Sequence, residues 1–408
     1  MIEQLRLLGP LSWRSLWRNP RRTVITMIVV CVGVWSIATF SIMLRAWSQS
    51  SRDTTTQLLV GTGQIHAKGY LDDPSIVHRM PPPDTKLIDA LHGTGIHGYA
   101  SRVRVGAVAR SEYKTLPITF VGVRPSDERG ISELPNQIVD GRYLNGPDDS
   151  GIVIGRNLAK RLKTRVGKRI VVMTQNTAGA LAERAFPVVG IYSAPQNVED
   201  EFAFAGIDVA QSFTRIGPDI SEIAFQVPEG APLDQAIESL RRAAPTLDVQ
   251  SWHTLAPLAY AMGTFFDQFI SMWLGVMFVL MAIGIVNTQL MAVFERTREF
   301  GLLHALGMRS HTVLFEVALE SALLIALGVL AGVLLAVLTV LPFRDGLNLG
   351  FLGRGAELIG AGRILYPRVD AMDLLLYGSL VWILGLAVTL WPARRAARIG
   401  PVEAMRRT

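Results

Sequence analysis

Glu295, Arg296, Arg298 and Glu299 put two carboxylates and two guanidiniums within five residues of a chain that is 50% apolar. Read as helix, Glu295 with Arg298 and Arg296 with Glu299 are i,i+3 pairs that can meet on one surface. That chemistry is ion pairing. It makes a short charged element firm enough to be gripped, and it offers no group that attacks a bond. Phe294, Leu302, Leu303 and Leu306 fall around it at near-helical spacing. Gly301 and Ala305 lie among them, Gly307 is placed to end the helix, and Ser310 to cap the next one.

The remaining residue types with chemical potential form no catalytic pattern. Gly167-Lys168 invites a phosphate-loop reading, but that motif needs a glycine five residues before the second one, and position 162 is Leu. A nucleotide hydrolase is therefore expected in a partner, with no cofactor in this chain. His66, His78, His92, His97 and His253 lack ligand-like spacing and read as scattered surface histidines, so no metal site is expected. Cys31 is the only cysteine, which excludes an internal disulfide and a thiol metal site. Ser48, Ser50 and Ser51 read as linker. Glu316 and Glu320 are i,i+4, and Glu320 lies inside a long apolar run. A carboxylate there is costly and must face protein or water, as a structural anchor or as a proton relay.

The elements that position the charged stretch are long apolar runs. Four are expected to cross a bilayer, which takes ~20 apolar residues: 23–47, 266–293, 312–341 and 371–391. The charged segment 294–311 is the turnaround between the second and third. Between the first and second lies 48–265, polar enough to be an aqueous domain and long enough to bury its own core. It holds 22 Lys+Arg against 23 Asp+Glu, so the net charge of +6 sits at the ends. Arg6, Arg14, Arg18, Arg21 and Arg22 precede the first run; Arg394, Arg395, Arg398, Arg406 and Arg407 follow the last. By the positive-inside rule both termini, 1–22 and 392–408, are cytoplasmic and 48–265 is outside. The loop 342–370 carries Arg344, Arg354, Arg363 and Arg368 and must also be outside; the terminal clusters outweigh it. Basicity is thus a topology signal, and nucleic acid is not an expected partner.

Pro10–Arg18 reads as an amphipathic helix in the membrane interface, with Trp13 and Trp17 at i,i+4 and Leu16 beside them; Asn19-Pro20 breaks it. The run that follows is too long for a cleaved leader and reads as a retained anchor. In the third run, Ala318, Ala322 and Ala326, and Gly328, Gly332 and Ala336, recur every fourth residue, which lets helix backbones approach closely in lipid. Segment 48–265 is α+β. Strands are expected at Ser101–Ala109, Ile118–Val123, Ile152–Ile154, Arg169–Met173, Phe186–Ile191 and Glu222–Val227, and helices at Asp84–Leu91, Asn157–Leu162 and Leu233–Ala244.

The stretch Glu-Arg-x-Arg-Glu-Phe-Gly-Leu-Leu-x-Ala-Leu-Gly at 295–307, approached from Asn287, resembles the signature of the MacB/FtsX family of ABC-transporter permeases. Four other segments are similar to the same family. They are Ser12–Thr23, the Ile138–Leu144 and Gly151–Arg169 segments, and the ending from Trp391 through Pro392-Ala393 and Ala396-Ala397 to Pro401 and Ala404.

The resemblance implies four transmembrane helices with a large periplasmic domain of the MacB type inserted between helices 1 and 2. It implies a porter-like part, placed at 48–125 plus 214–260, and an inserted β-rich part at 126–213. Residues 295–307 would be the coupling helix, docking on a separate ATPase that binds ATP and Mg. Two ATPase copies and a second permease chain, identical or paralogous, are implied, in a bacterial inner membrane.

The lipoprotein-releasing branch is the nearest in layout, with a periplasmic chaperone as partner. The Pro81-Pro82-Pro83 turn and the 192–202 loop are candidate chaperone hooks. The alternatives are an efflux permease with an adaptor and outer-membrane channel, and a mechanotransmitting regulator of a cell-wall hydrolase.

Overall fold

The computed structural model describes residues 13–14, 16–96, 98–228, 230–305, 310–350 and 364–397. They divide into two compact units, one within Met1–Trp47, Phe265–Leu347 and Leu365–Thr408, the other within Ser48–Thr264 and Asn348–Ile364.

The first unit is helical. Four helices are long and apolar enough to cross a bilayer: Pro20–Leu58, Pro257–Glu295, Ser310–Phe343 and Ala371–Arg394. The first three overrun the apolar windows at both ends. Hydrophobicity sets only the middle of such a helix, and its polar flanks stay helical where the backbone ladder continues. The fourth continues past Trp391, where the run was expected to stop, through Pro392 to Ala397. Hydroxyls within the apolar segments donate back one turn, Thr26 to the Arg22 carbonyl, Thr288 to Gly284, Ser321 to Val317 and Thr339 to Leu335. No solvent is needed to satisfy them.

The helices share a core of Val30, Val34, Ile37, Met281, Ile285, Ile325, Val329, Tyr377 and Val381. Two glycines of the third helix set its distance from the first. A Cβ on Gly328 would lie 2.7 Å from Cβ of Val30, and one on Gly332 would lie 2.7 Å from the Cys31 carbonyl oxygen. Ala336, next in the series, is fully buried. The spacing seen in the sequence is thus a real close approach of backbones. Arg45 of the first helix forms an ion pair with Asp373 of the fourth and donates to the Tyr377 hydroxyl at 3.2 Å.

The second unit is a ten-stranded sheet with helices packed on it. Its strands are β1 (Gly63–Ala67), β2 (Gly98–Arg110), β3 (Thr115–Val123), β4 (Ile138–Gly141), β5 (Ile152–Gly155), β6 (Arg169–Gln175), β7 (Leu181–Tyr192), β8 (Phe202–Gly206), β9 (Glu222–Gln226) and β10 (Leu247–Ser251). Their order is β10-β1-β9-β2-β3-β8-β5-β7-β4, with β6 pairing β2 and β7. The half β10-β1-β9-β2-β3 comes from 63–123 and 222–251, and the half β8-β5-β7-β4 with β6 comes from 138–206. Parallel pairing of β3 with β8 and antiparallel pairing of β2 with β6 join them. One continuous hydrophobic cluster, from Ile65 through Phe120, Phe186 and Phe213 to Val249, fills both.

Four strands were not anticipated; one of them, β4, is only four residues long and mostly exposed. β8 (Phe202-Ala-Phe-Ala-Gly) is buried at every position, so it lacks the alternation that betrays a half-buried strand. β1 carries Gln64 and His66, yet both are buried. β10 is short and mostly polar. The expected 192–202 loop contains a helical turn, Gln196–Glu201. Its Glu199 accepts from the backbone N–H groups of Asn157 and Ala194, each at 3.0 Å, and caps the helix Arg156–Leu162. Residues 81–83 form no regular element, but Met80 before them bridges to Ile220 through a backbone pair.

His66 also corrects the expectation of surface histidines. It is 1% exposed, stacked on Tyr70 at 4.8 Å, with Nε2 3.0 Å from Gln64 Oε1 and 3.9 Å from Glu222 Oε2. Sequence spacing misses it because its neighbours arrive from β9 and the loop after β1. Beside it, Arg102 is buried and held by both oxygens of Glu128 at 2.6 and 2.9 Å and by Glu222 at 3.4 Å. The two carboxylates raise its pKa against the opposing effect of burial.

Candidate functional site

The second long helix closes at Glu295, and a single non-helical residue, Arg296, separates it from the short helix Thr297–Ala305. The Thr297 hydroxyl donates back to the carbonyls of Val293 (3.1 Å) and Phe294 (2.8 Å) and secures the corner. Phe300, 1% exposed, anchors the short helix against Val293, Val313, Val317 and Ala393.

Arg296 is the hub. Nε donates to Glu299 Oε2 at 3.1 Å, Nη1 to Glu320 Oε2 at 2.8 Å and Nη2 to Glu316 Oε1 at 3.3 Å. Its guanidinium also lies 5.2 Å from the centre of the Phe300 ring. Burial alone would lower the Arg296 pKa; Glu320, Glu299 and Glu316 outweigh it and raise the value. Glu320 and Glu316 are both on the third long helix, so the i,i+4 pair is a two-pronged socket for one cation. Glu320 is nearly buried and acts as an ion-pair anchor.

The charges continue into the first helix. Arg22 reaches Glu295 Oε2 at 3.3 Å with Nη1 and Glu320 Oε1 at 3.5 Å with Nη2. Asn19 Nδ2 donates to Glu295 Oε2 at 3.1 Å. Arg18 forms an ion pair with Glu299. Burial would raise the Glu299 pKa, but hydrogen bonds from Arg18 and Arg296 bring it below the ordinary carboxylate value. Arg18, Arg22 and Arg296 thus thread Glu295, Glu299, Glu316 and Glu320 into one network joining the first helix, the corner and the third helix.

Of the residues singled out from sequence, Arg296 and Glu299 pair as expected. Glu295 and Arg298 do not. The helix breaks at Arg296, so Glu295 ends the preceding helix and turns to Arg22 and Asn19. Arg298 is exposed and has no ion pair among the described residues. Gly301 is buried, while Leu302 and Ala305 are exposed. Arg298, Leu302 and Ala305, at i, i+4 and i+7, form the outward face of the short helix. Leu306 and Gly307, and the side chain of Leu303, lie outside the described residues.

Sequence reasoning missed Arg18, Asn19, Arg22 and Glu316 as members of the network. The usable signal was Glu320: a carboxylate in an apolar run requires a cation, and the nearest run flank rich in arginine is 18–22. Among the described residues, no three of His, Cys, Asp and Glu gather as a metal site.

The architecture is that of a multi-pass membrane permease with a large folded insert after its first helix. The family model of the MacB-like periplasmic core domain matches residues 23–243, and that of the FtsX-like permease C-terminal matches 271–401. The chain belongs to the MacB/FtsX family of ABC-transporter permeases.

It is 24% identical to the lipoprotein-releasing system transmembrane protein LolC of Neisseria meningitidis serogroup B, over 96% of each chain. It is 26% identical to the macrolide export ATP-binding/permease protein MacB of Rhodospirillum rubrum, over 99% of this chain and 60% of that one. With the pyoverdine export ATP-binding/permease protein PvdT of Pseudomonas aeruginosa it shares 25% identity, over 97% of this chain and 58% of that one. The chain therefore spans about 58–60% of the length of these export relatives. Among solved structures, the periplasmic region of MacB from Actinobacillus actinomycetemcomitans covers 47% of this chain and 89% of that one, at 12% identity and a TM-score of 0.34.

Proposed function

We propose that this chain is the transmembrane subunit of a lipoprotein-releasing ABC transporter. The network around Arg296 supports the coupling part of the reading. It holds a short helix rigidly at a turn between two membrane helices while leaving Arg298, Leu302 and Ala305 free to meet another protein. ATP binding and hydrolysis, with Mg, then occur in two copies of a separate ATPase. The short helix passes the ATPase state to a bundle with two conformations, each favoured by a different nucleotide state.

The arginine-rich ends support a reading in which both termini lie in the cytoplasm, the helices in a bacterial inner membrane and the sheet domain in the periplasm. A second permease chain, identical or paralogous, completes the transporter. The observation that favours lipoprotein release is the alignment with LolC across 96% of both chains. A periplasmic lipoprotein chaperone is then the acceptor. The similar identity to the pyoverdine and macrolide exporters supports a second reading, efflux with an adaptor and an outer-membrane channel.

Purification of the tagged chain from its own membranes in mild detergent distinguishes them. An ATPase with a lipoprotein or its chaperone is the expected result. An ATPase with an adaptor and channel would establish efflux instead. A hydrolase partner would point to mechanical regulation, and absence of any ATPase would overturn the coupling reading.

A further inference from the structure

We infer that the segment Arg18–Arg22 is a positioning element of the coupling site. This inference rests on the proposed role of the short helix as the ATPase dock. Both acidic residues of the corner, Glu295 and Glu299, point at this segment. Glu299 takes Arg18, and Glu295 takes Asn19 at 3.1 Å and Arg22 at 3.3 Å. Neither carboxylate is therefore spent on the ATPase. The dock offered to the ATPase is cationic and apolar, built from Arg298 and Leu302, and it fits an apolar groove with an acidic residue at its edge.

Arg22 is the central member. Its side chain is 15% exposed, and it spans Glu295 at the corner and Glu320 inside the third helix, whose side chain is 7% exposed. A charge with two partners in a poorly solvated place is held more firmly than a surface pair. Arg18 is the outer member, 60% exposed, and adjusts the angle of the helix through Glu299. Leu16, buried and bonded through its carbonyl to the Thr23 hydroxyl at 2.6 Å, fixes where Arg18 can reach. The first helix is thereby tied to the corner. A displacement of the short helix by the ATPase moves the first helix with it, in addition to the second and third to which it is covalently joined.

The test uses the full chain with the ATPase that co-purifies with it, in lipid nanodiscs. Spin labels on the exposed Ile28→Cys and Met372→Cys in a Cys31→Ser background report the distance between the first helix and the start of the fourth helix. In the unaltered network, vanadate-trapped and nucleotide-free states are expected to give different distances. Arg22→Gln is expected to keep the co-purified ATPase and its hydrolysis rate while losing the distance change.

Arg18→Glu is expected to reduce the change and Arg18→Lys to keep it; this exposed position decides the question if Arg22→Gln fails to accumulate. A full distance change in both Arg22→Gln and Arg18→Glu overturns the inference and leaves the ATPase dock standing. An unaltered network that binds no ATPase, or shows no distance change, overturns the coupling reading itself.

Discussion

Arg296 Nη1 lies 2.8 Å from Glu320 Oε2, so the one residue that breaks the path between two helices is seated on a carboxylate inside the next. Helix breaks are usually soft. This one is pinned at three points by Glu299, Glu316 and Glu320. Removal of the cation leaves a poorly solvated carboxylate without its main partner. Arg296→Ala is expected to destabilise the bundle by about 3–5 kcal/mol. Glu320→Gln should cost less, since Glu316 and Glu299 still hold the arginine. Thermal inactivation in detergent, followed by loss of monodisperse protein, measures both.

The exposed face of the short helix gives the opposite phenotype. Arg298→Glu and Leu302→Asp alter residues that bury nothing within the chain, so fold and yield should be unchanged. Each should weaken ATPase co-purification by at least about tenfold, the equivalent of ~1.4 kcal/mol of binding. Glu295→Ala should leave the ATPase bound. Quantitative co-purification at matched expression reads the difference.

Gly328 and Gly332 face backbone and branched side chains of the first helix at distances no Cβ occupies. Gly332→Leu must push the first and third helices apart and is expected to cost about 1–3 kcal/mol or more through overpacking. Ala318→Leu should be mild by comparison, because Ala318 is only half-buried. Melting temperature in detergent compares them.

In the sheet domain, Arg102→Met removes the partner of Glu128 and the near neighbour of Glu222, both buried. A loss of about 3–5 kcal/mol is expected, because Glu128 loses its cation and Glu222 keeps only the more distant Arg104 at 3.8 Å. The triple change Arg102→Met, Glu128→Leu, Glu222→Leu should recover much of it. Chemical denaturation followed by near-ultraviolet circular dichroism measures the loss.

His66 supplies a pH dependence. Burial holds its pKa below the ordinary histidine value, against Glu222 and Asp248, which favour the charged form. The folded state therefore disfavours the protonated ring. The corresponding stability is complete above the unfolded value, near pH 6.5, and is lost as pH falls through it toward the folded value. Denaturation midpoints at pH 7.5 and 5.5 should differ more in the natural protein than in His66→Asn. Equal differences would remove His66 as the cause.

The helical half was legible in the sequence for a physical reason. Apolar runs longer than a bilayer is thick admit one solution, and the charged corner between them has to surface. The pairing of Arg296 with Glu299 follows from helical spacing, which is local. What joins Arg22 to Glu320 is tertiary, and the terminal arginines have a second explanation, membrane topology, that hides the first. In the sheet domain, Arg169–Met173 alternates between buried and more exposed positions and was visible. Phe202–Gly206 is buried on both faces, so its pattern carries no period. Gln64 and His66 mark a loop by composition, and only Tyr70, Gln64's own amide and Glu222 make an interior place for the imidazole.

The two strands next in sequence to the first and second long helices are hydrogen-bonded neighbours, with Gly63 opposite Ser251 and Ala67 opposite Leu247. The chain therefore enters and leaves the sheet at the same end of one antiparallel pair. Such a pair has two very different strengths. Pulled apart sideways it opens like a zipper, one bond after another; drawn together along its length it moves as a single rod. The pair thus resists force along its strands and yields to force across them.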